Sequence, residues 1–294
     1  MHFVKRGQSD LGPSRSFRLA SGSGELSIGS VVKVGDLCDA LEQLAPPQLA
    51  EDYDNVGLLV GDRHARVASV LVALDVTPAI LEEAKAVGAS MVVSHHPIWF
   101  RPRRTLVGDD FAGVQIVSAI RSNIALFACH TNLDNHTQGV NRTIADRLDL
   151  QDCSPLRPRE QGPPTVCAGS GLVGRLRQAL DAEELLSLVR ERFNSACIRY
   201  APGPGRIERV AVCGGAGSFL LEDAVQHGAD AYITADVTYH HFFEARSRIL
   251  FMDIGHYESE QFAVSLLETF LKKEFPGIVV RAARGSTNPV RYFF

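Results

Sequence analysis

The sequence lacks any Cys-x-x-Cys pair, although six cysteines are spread along its 294 residues. They are Cys38, Cys129, Cys153, Cys167, Cys197 and Cys213. This spacing argues against a thiolate zinc finger, which requires closely paired cysteines. Scattered cysteines with mostly apolar neighbours are typical of buried thiols in a reducing compartment, so we expect a cytoplasmic protein.

Long apolar runs and a strong excess of one charge are also missing. No run of about 18 or more apolar residues occurs, so the sequence predicts no membrane span. The formal net charge of −4 argues against general binding of nucleic acid. Hydrophobic residues make up 45% and charged residues 22% of the chain. These are ordinary globular values, and the length suits two domains or one domain built from two halves.

The first thirty residues differ in composition from the rest. They are rich in Ser, Gly and Arg and lack the apolar segment of a secretory signal. We interpret residues 1–30 as a disordered tail or an over-extended start. Organellar targeting is the alternative, because transit peptides are rich in Arg and Ser and poor in acidic residues.

Apolar periodicity predicts a β-α-β unit with parallel strands. Residues 67–74 are apolar enough for a buried strand, and Thr77 is placed to cap a helix that begins at Pro78. Residues 90–93 form the next predicted strand. Two parallel strands joined by one helix imply a right-handed crossover.

A second copy of this unit follows later in the chain. Residues 70–93 align with residues 210–233 without a gap, at an offset of 140, and a Gly-Ala pair recurs at the same place. The repeat favours an internal duplication. The predicted fold class is therefore α/β, with two similar α/β lobes and the functional site between them. We predict a first lobe over residues 31–152, a Pro-rich connection over 153–205 and a second lobe over 206–294.

Three predicted strands end in residues that bind metal ions. The first runs into His95-His96, the second into a loop with Asp134, and the third into His256 and Glu260. Ligands of open α/β sheets bind at the carboxyl ends of strands. Adjacent side chains on a strand point to opposite sides, so the two neighbouring histidines would serve different ions. The i, i+4 pair would share one helix face.

The chemistry of these side chains indicates a dinuclear metal site. Histidines and carboxylates without cysteine suit Zn, Mn, Fe, Co or Ni and disfavour calcium. A carboxylate can bridge two cations, and ions about 3.5–4 Å apart with an activated water between them recur in hydrolases. We therefore predict two divalent metal ions, held by His95, His96, Asp134, His256 and Glu260.

Three further motifs allow two interpretations each. The arginines of segment 101–104 would meet an anionic substrate or form a solvated loop. The Gly-rich segment 214–218 precedes a predicted helix, so its amides would hold a phosphate or simply form a tight turn. His130 is expected beside the ligands, orienting Asp134, rather than as a ligand itself.

Eight short motifs give the sequence a family resemblance. They are Asp54–Gly61, Ser94–Pro97, His130–Asp134, Gly139–Asn141, Cys213–Ser218, Ala235-Asp236 with Tyr239-His240, Gly255–Tyr257 with Glu260, and Thr287–Pro289. Together they resemble the NIF-three-like family, whose members are often named GTP cyclohydrolase I type 2 homologues. The motifs cover about residues 31–294.

The resemblance implies a dinuclear metal centre between two similar α/β domains, in a ring-shaped oligomer that is typically a hexamer. Carried over residue by residue, it implies that His95 and His256 bind one ion, that His96 and Asp134 bind the other, and that Glu260 bridges both.

The sequence departs from the family pattern in two places. Ala235 stands where members usually have glycine before Asp236, which puts the local turn in question. The predicted connection between the lobes is also too short for the extra folded domain that some relatives carry.

Two functions are compatible with these residues. The first is a metal-dependent hydrolase acting on a small nucleotide-like or phosphorylated substrate, with Asp236 or His240 transferring the proton. The second is a non-enzymatic protein that binds or delivers metal, or that acts as a regulatory interaction partner. A coordination position that substrate can reach favours the enzyme, whereas a closed metal shell favours the binding protein.

Overall fold

A computed structural model of the chain describes residues 31–159 and 168–293, and these form a mixed α/β fold with two sheets. The predicted tail and Cys167 lie outside the described residues. The strands are β1 (Gly57–Val60), β2 (Ser69–Ala73), β3 (Met91–Ser94), β4 (Ala125–Ala128), β5 (Gln151–Pro158), β6 (Gly169–Leu180), β7 (Arg199–Ala201), β8 (Ile207–Ala216), β9 (Ala231–Ala235), β10 (Leu250–Asp253) and β11 (Val279–Ala282). The helices are α1 (Val34–Leu44), α2 (Pro78–Ala86), α3 (Phe111–Arg121), α4 (Thr131–Asp134), α5 (Val140–Arg147), α6 (Ala182–Phe193), α7 (Leu221–Gln226), α8 (Tyr239–Ala245), α9 (His256–Glu260) and α10 (Ala263–Glu274).

The first sheet has the strand order β1-β4-β3-β2-β11. Its strands are parallel except for β1, which runs antiparallel to β4 at the edge. The predicted β-α-β unit is confirmed as β2-α2-β3. Thr77 caps α2, since its hydroxyl oxygen accepts a hydrogen bond from the backbone N–H of Ile80 at 3.3 Å. Every residue of β2, β3 and β4 is buried, which explains their continuous apolar runs.

The second sheet has the strand order β5-β6-β8-β9-β10-β7. The three strands β8, β9 and β10 are parallel, and antiparallel strands flank them on both sides. The carboxyl end of β10 leads directly into α9, which carries the predicted ligands of this half.

The two β-α-β units share one pairing register, as an internal duplication predicts. Val70 pairs with Met91 in the first sheet, and Val210 pairs with Ala231 in the second, so both partners are offset by the same 140 positions. In both units a glycine with φ of +66° follows the helix and turns the chain into the next strand. The shared register supports a duplicated origin for the two sheets.

The sheets do not follow the predicted lobe boundaries throughout. The predicted connection, residues 153–205, contains α6 and contributes β6, β7 and most of β5 to the second sheet, and β11 returns to the first sheet beside β2. Much of β5 and the second half of β6 are exposed or half-buried, so they lack the apolar run of a buried strand. Pro155 and Pro158 fit because β5 is an edge strand.

One apolar cluster contains buried residues of both sheets. Phe127 and Val93 from the first sheet belong to the same cluster as Val212 and Met252 from the second, together with Ile144 of α5. Burial of this shared core stabilises the contact between the two sheets and brings the ends of their strands close to each other. No helix in the two described ranges is both long and apolar enough to cross a bilayer.

Candidate metal centre

His95 and His96 follow β3, and their rings turn toward different neighbouring strands. The Nδ1 atom of His95 lies 2.7 Å from the carbonyl oxygen of Cys129, at the end of β4. The Nδ1 atom of His96 lies 2.7 Å from Oδ1 of Asp75, at the end of β2. Because β3 lies between β4 and β2, and adjacent side chains leave a strand on opposite sides, the rings diverge. Each ring therefore presents its Nε2 atom to the site.

The second half of the site is the short helix α9. His256 and Glu260 share one of its faces, with Nε2 of the histidine 3.0 Å from Oε2 of the glutamate. The Nδ1 atom of His256 lies 2.7 Å from Oδ2 of Asp236, which follows β9. Gly255 precedes the helix with φ of +95°, a conformation that favours glycine. The shared helix face that the i, i+4 spacing predicts is therefore observed.

The five predicted ligands come together where the two sheets meet. The Nε2 atom of His96 lies 2.8 Å from Oε2 of Glu260 and 3.3 Å from Nε2 of His256. The Nε2 atom of His95 lies 3.5 Å from Oδ1 of Asp134 and 3.8 Å from Oε2 of Glu260. The five residues form two donor groups, His95 with Asp134 and Glu260, and His96 with His256 and Glu260, each with its donor atoms within 4.8 Å of one another. A third group of the same size joins His95 and His96 with His130.

The grouping differs from the one that the family resemblance implies. The structure places His95 with Asp134, and His96 with His256, whereas the resemblance pairs them the other way. The reason is the divergence of the two rings. His95 turns to the side of β4, which leads into α4 and Asp134, and His96 turns to the opposite side. Glu260 belongs to both groups, as the bridging role requires.

In the donor group of His95, Asp134 and Glu260, two buried polar atoms have no hydrogen-bond partner among the described residues. They are Nε2 of His95 and Oδ1 of Asp134. A buried polar atom without a partner costs about 1–3 kcal/mol, so such atoms in native proteins need an explanation. An imidazole nitrogen and a carboxylate oxygen facing each other are suitable metal donors. These buried groups could hold a metal ion.

The protonation of the cluster depends on burial and on close ion pairs. Although burial disfavours the charged imidazole, hydrogen bonds to two carboxylates raise the pKa of His96 to about 9 and that of His256 to about 11. Burial alone would raise the pKa of Glu260, but its contacts with histidines hold it well below its usual range. Burial raises the pKa of Asp134 to about 7. Without an ion, the two histidines therefore carry the protons that an ion would displace.

Sequence reasoning missed two carboxylates that support the site. Asp75 orients His96, and its position directly after a buried strand was the same signal that identified the ligands. The carboxylate of Asp54 accepts hydrogen bonds from Nδ1 of His130 at 2.9 Å and from the backbone N–H of Thr131 at 3.0 Å. The imidazole of His130 does not orient Asp134 as expected, since Asp54 holds the ring; His130 contacts Asp134 through its carbonyl oxygen, which accepts a hydrogen bond from the backbone N–H of Asp134 at 3.0 Å.

The two predicted proton-transfer residues lie in different environments. Asp236 lines the cavity and orients His256. His240 is exposed on α8, against the rings of Tyr239 and Phe243, and does not line the cavity. Ala235 ends β9, and the residue with a positive φ is Asp236, at +52°. Position 235 therefore does not require glycine.

The Gly-rich segment 214–218 ends β8, and three of its backbone amides are already used. The backbone N–H groups of Gly214, Gly215 and Gly217 donate to side-chain oxygens at 2.9, 3.0 and 2.9 Å. These amides are therefore not available to a phosphate. At Gly215, a Cβ atom would lie 2.3 Å from Oε1 of Glu260, so the glycine lets the bridging carboxylate approach the chain.

A cavity of about 930 Å³ opens onto the ligand cluster. Aromatic side chains form part of its wall, among them Phe100, Phe111, Phe219, Tyr257 and Tyr292. Among the described residues that line it, Arg199 is the only arginine or lysine, and it is bonded to Asp253 and to the carbonyl oxygen of Val237. The arginines of segment 101–104 do not line this cavity, and Arg103 pairs with Asp110 at 2.5 Å.

Comparison with known proteins gives relatives that extend over most of the chain. The GTP cyclohydrolase 1 type 2 homolog of Clostridium perfringens is 35% identical over 231 residues, which are 78% of this chain and 87% of that protein. Its counterpart in Clostridium acetobutylicum is 36% identical over 231 residues, covering 78% and 85% of the two chains.

Solved structures show the same fold. Staphylococcus aureus protein SA1388 is 28% identical, with a TM-score of 0.81 over 90% of this chain and 100% of that chain. A Bacillus cereus protein related to NIF3 is 21% identical, with a TM-score of 0.82 over 90% and 100%, and supports the fold alone. The family description Duf34/NIF3 (NGG1p interacting factor 3) matches residues 32–289. With this match and relatives at 35% identity, the chain belongs to the DUF34/NIF3 family.

Proposed function

We propose that this protein binds two divalent metal ions at the ligand cluster and uses them to hydrolyse a small substrate. One observation carries the proposal. Nε2 of His95 and Oδ1 of Asp134 are buried, face each other at 3.5 Å and have no hydrogen-bond partner among the described residues. A second donor group stands beside them and shares Glu260.

The residues divide into two ion sites with one bridge. His95 and Asp134 would hold the first ion, His96 and His256 would hold the second, and Glu260 would contact both. Nitrogen and oxygen donors of this kind suit Zn, Mn, Fe, Co or Ni. Such ions, when bound, activate water and polarise a substrate oxygen.

Residues behind the ligands would keep the donor atoms in place. Asp75, Asp236 and the carbonyl oxygen of Cys129 each fix one histidine through Nδ1. Asp236 also lines the cavity, so we assign proton transfer to its carboxylate rather than to the more distant His240.

Access to the cluster supports catalysis over simple metal storage. His96, Asp134, His256 and Glu260 all line the cavity, so a substrate of moderate size can reach both proposed ions. A storage protein would surround its metal with a closed shell. The aromatic walls suit the flat ring of a nucleotide-like substrate.

The charged side chains of the cavity wall indicate where a phosphate would bind. Arg199 already pairs with Asp253, and the protonated rings of His96 and His256 in the metal-free chain pair with carboxylates, so the described lining offers no free cationic side chain. A phosphorylated substrate would therefore bind through the metal ions. The name of the clostridial relatives is consistent with a nucleotide.

The experiment is a substrate screen on purified protein reconstituted with Zn, Mn, Fe, Co or Ni. Nucleotides, including GTP with detection of ring opening, and phosphorylated metabolites are the substrates. E260Q is the loss-of-site variant, and T105V is a control because Thr105 is exposed and does not line the cavity. Turnover that E260Q abolishes and T105V retains supports the proposal. Two bound ions with no turnover in the whole screen would instead favour metal delivery or a regulatory role.

The proposed assembly is a homohexameric ring in the cytoplasm. The ring rests on the resemblance to the NIF-three-like family, and the location rests on the distribution of cysteines.

A further inference from the structure

The segment that follows β11 forms one wall of the cavity. Asn288, Pro289, Val290 and Tyr292 line it. Two neighbouring side chains of this segment contact the site from opposite directions. From these contacts we propose that Thr287 and Asn288 are positioning residues that hold the two halves of the metal centre together. This inference rests on the proposed metal centre and deepens it.

Thr287 supports the histidine of the first sheet. Its hydroxyl donates a hydrogen bond of 2.5 Å to Oδ2 of Asp75. The other carboxylate oxygen of Asp75 accepts from Nδ1 of His96 at 2.7 Å. The hydroxyl fixes the carboxylate, the carboxylate fixes the ring, and Nε2 is left directed at Glu260, 2.8 Å away. Hydrogen bonds behind metal ligands act in this way in known metal sites.

Asn288 supports the helix of the second sheet. Its Nδ2 group donates to Oε1 of Glu258 at 3.2 Å. Glu258 is buried on α9, between the ligands His256 and Glu260. Its other oxygen packs against Gly255, where an added Cβ would lie 2.1 Å away. The carboxylate is therefore held between the start of α9 and the C-terminal segment.

The two contacts together connect elements that are far apart in the sequence. Asp75 follows β2 of the first sheet, and Glu258 lies on the helix after β10 of the second. Thr287 and Asn288 are adjacent, and their side chains bond to different halves of the site. One short segment can thus reach both halves, and the strand before it is anchored beside β2.

The contacts predict different losses for the two residues. Thr287 acts only on His96, so its hydroxyl should matter for the ion held by His96 and His256. The first ion depends on His95, which Cys129 orients independently. Asn288 acts on α9, which carries a ligand of both ions, so its removal should weaken both.

The test measures metal affinity by competition with a chelator and follows coordination through the absorption spectrum of the cobalt-loaded protein. T287V removes the hydroxyl at nearly constant shape, T287S keeps it, and T105V makes the same change at an exposed position outside the cavity. We expect T287V to weaken one ion about 10–100-fold and to change the cobalt spectrum, because such supporting bonds have effects of this size. T287S should restore both readouts, T105V should match the wild type, and N288A should weaken both ions.

The outcomes separate this inference from the proposed function. If the wild type binds two ions and T287V binds both with unchanged affinity, the positioning role is wrong and the metal centre stands. If the wild type binds none, the proposed centre itself is wrong. Should T287V fail to fold, T287A and N288A make the same comparison, and unchanged affinities in both would overturn the inference.

Discussion

Nε2 of His95 lies 3.5 Å from Oδ1 of Asp134, and neither atom has a hydrogen-bond partner among the described residues. Both atoms are buried, and the imidazole is already fixed from behind by a backbone carbonyl. Folding leaves two polar atoms without solvent or partner only where another group offsets the cost. A cation bound between Nε2 of His95 and Oδ1 of Asp134 would offset this cost, so the pair of atoms indicates a metal site.

Glu260 and Asp134 should differ in how many ions they control. Glu260 belongs to both donor groups, whereas Asp134 belongs to one. We expect E260Q to lose both ions and D134N to lose mainly the one shared with His95. Elemental analysis after reconstitution with excess Zn or Mn gives the stoichiometry. A wild type that never exceeds one ion per chain, or an E260Q variant that keeps two, contradicts the bridging role.

Metal binding should release protons at neutral pH. The pKa of His96 is raised to about 9 and that of His256 to about 11, so both rings are protonated in the metal-free chain at pH 7.5. An ion binds only the deprotonated nitrogen, so about two protons should leave, and affinity should rise steeply up to about pH 9 and less steeply up to about pH 11. Calorimetry in buffers of different ionisation enthalpy counts the protons. Affinity that levels off near pH 6.5 would show that the ion pairs do not hold these protons.

The stability of the metal-free chain should respond to D134N in a pH-dependent way. Burial raises the pKa of Asp134 to about 7 in the folded state, above the value of about 3.9 expected for an unfolded chain. The folded state thus favours the protonated acid, and its stability decreases as pH rises from about 4 to 7. Asparagine stays neutral, so metal-free D134N should come closest to the wild type at pH 4 and exceed it by the largest margin at pH 8. Urea unfolding at the two pH values measures this, with E51Q as the control at a cavity carboxylate outside the donor groups.

The strand ends and the clustering of the five candidate ligands at them could be predicted because they depend on local patterns. Buried parallel strands give apolar runs, and an i, i+4 pair on a helix has one geometry. The division of these residues into two donor groups could not be predicted. It depends on which neighbouring strand each ring faces, and the packing of the two sheets brings together residues as distant as His96 and Glu260, 164 positions apart. The role of β11 was missed for the same reason, since its partner β2 lies near the other end of the chain.

Phosphorylated ligands should bind only to the metal-loaded protein. The arginine in the cavity wall, Arg199, is engaged by Asp253, and the remaining charged groups of the described lining are carboxylates and histidines. Inorganic phosphate should therefore protect the loaded protein from thermal unfolding and have no effect after chelation. R199A should leave this protection unchanged. Protection of the metal-free protein by phosphate would indicate a cationic site that the cavity charges do not suggest.

The predicted ring should depend on exposed aromatic side chains. On α8, Tyr239 is 70% exposed and Phe243 is 56% exposed, with their ring centroids 5.1 Å apart. Two adjacent exposed rings favour contact with another copy of the chain, because association removes their apolar surface from water. Light scattering should give the mass of six 32.0 kDa chains for the wild type and a smaller species for Y239S/F243S. V279S, a change at an exposed apolar residue of β11, is the matched control and should keep the wild-type mass. A wild-type mass near one chain at micromolar concentration would overturn the ring, and an unchanged mass for the double variant would place its contacts elsewhere.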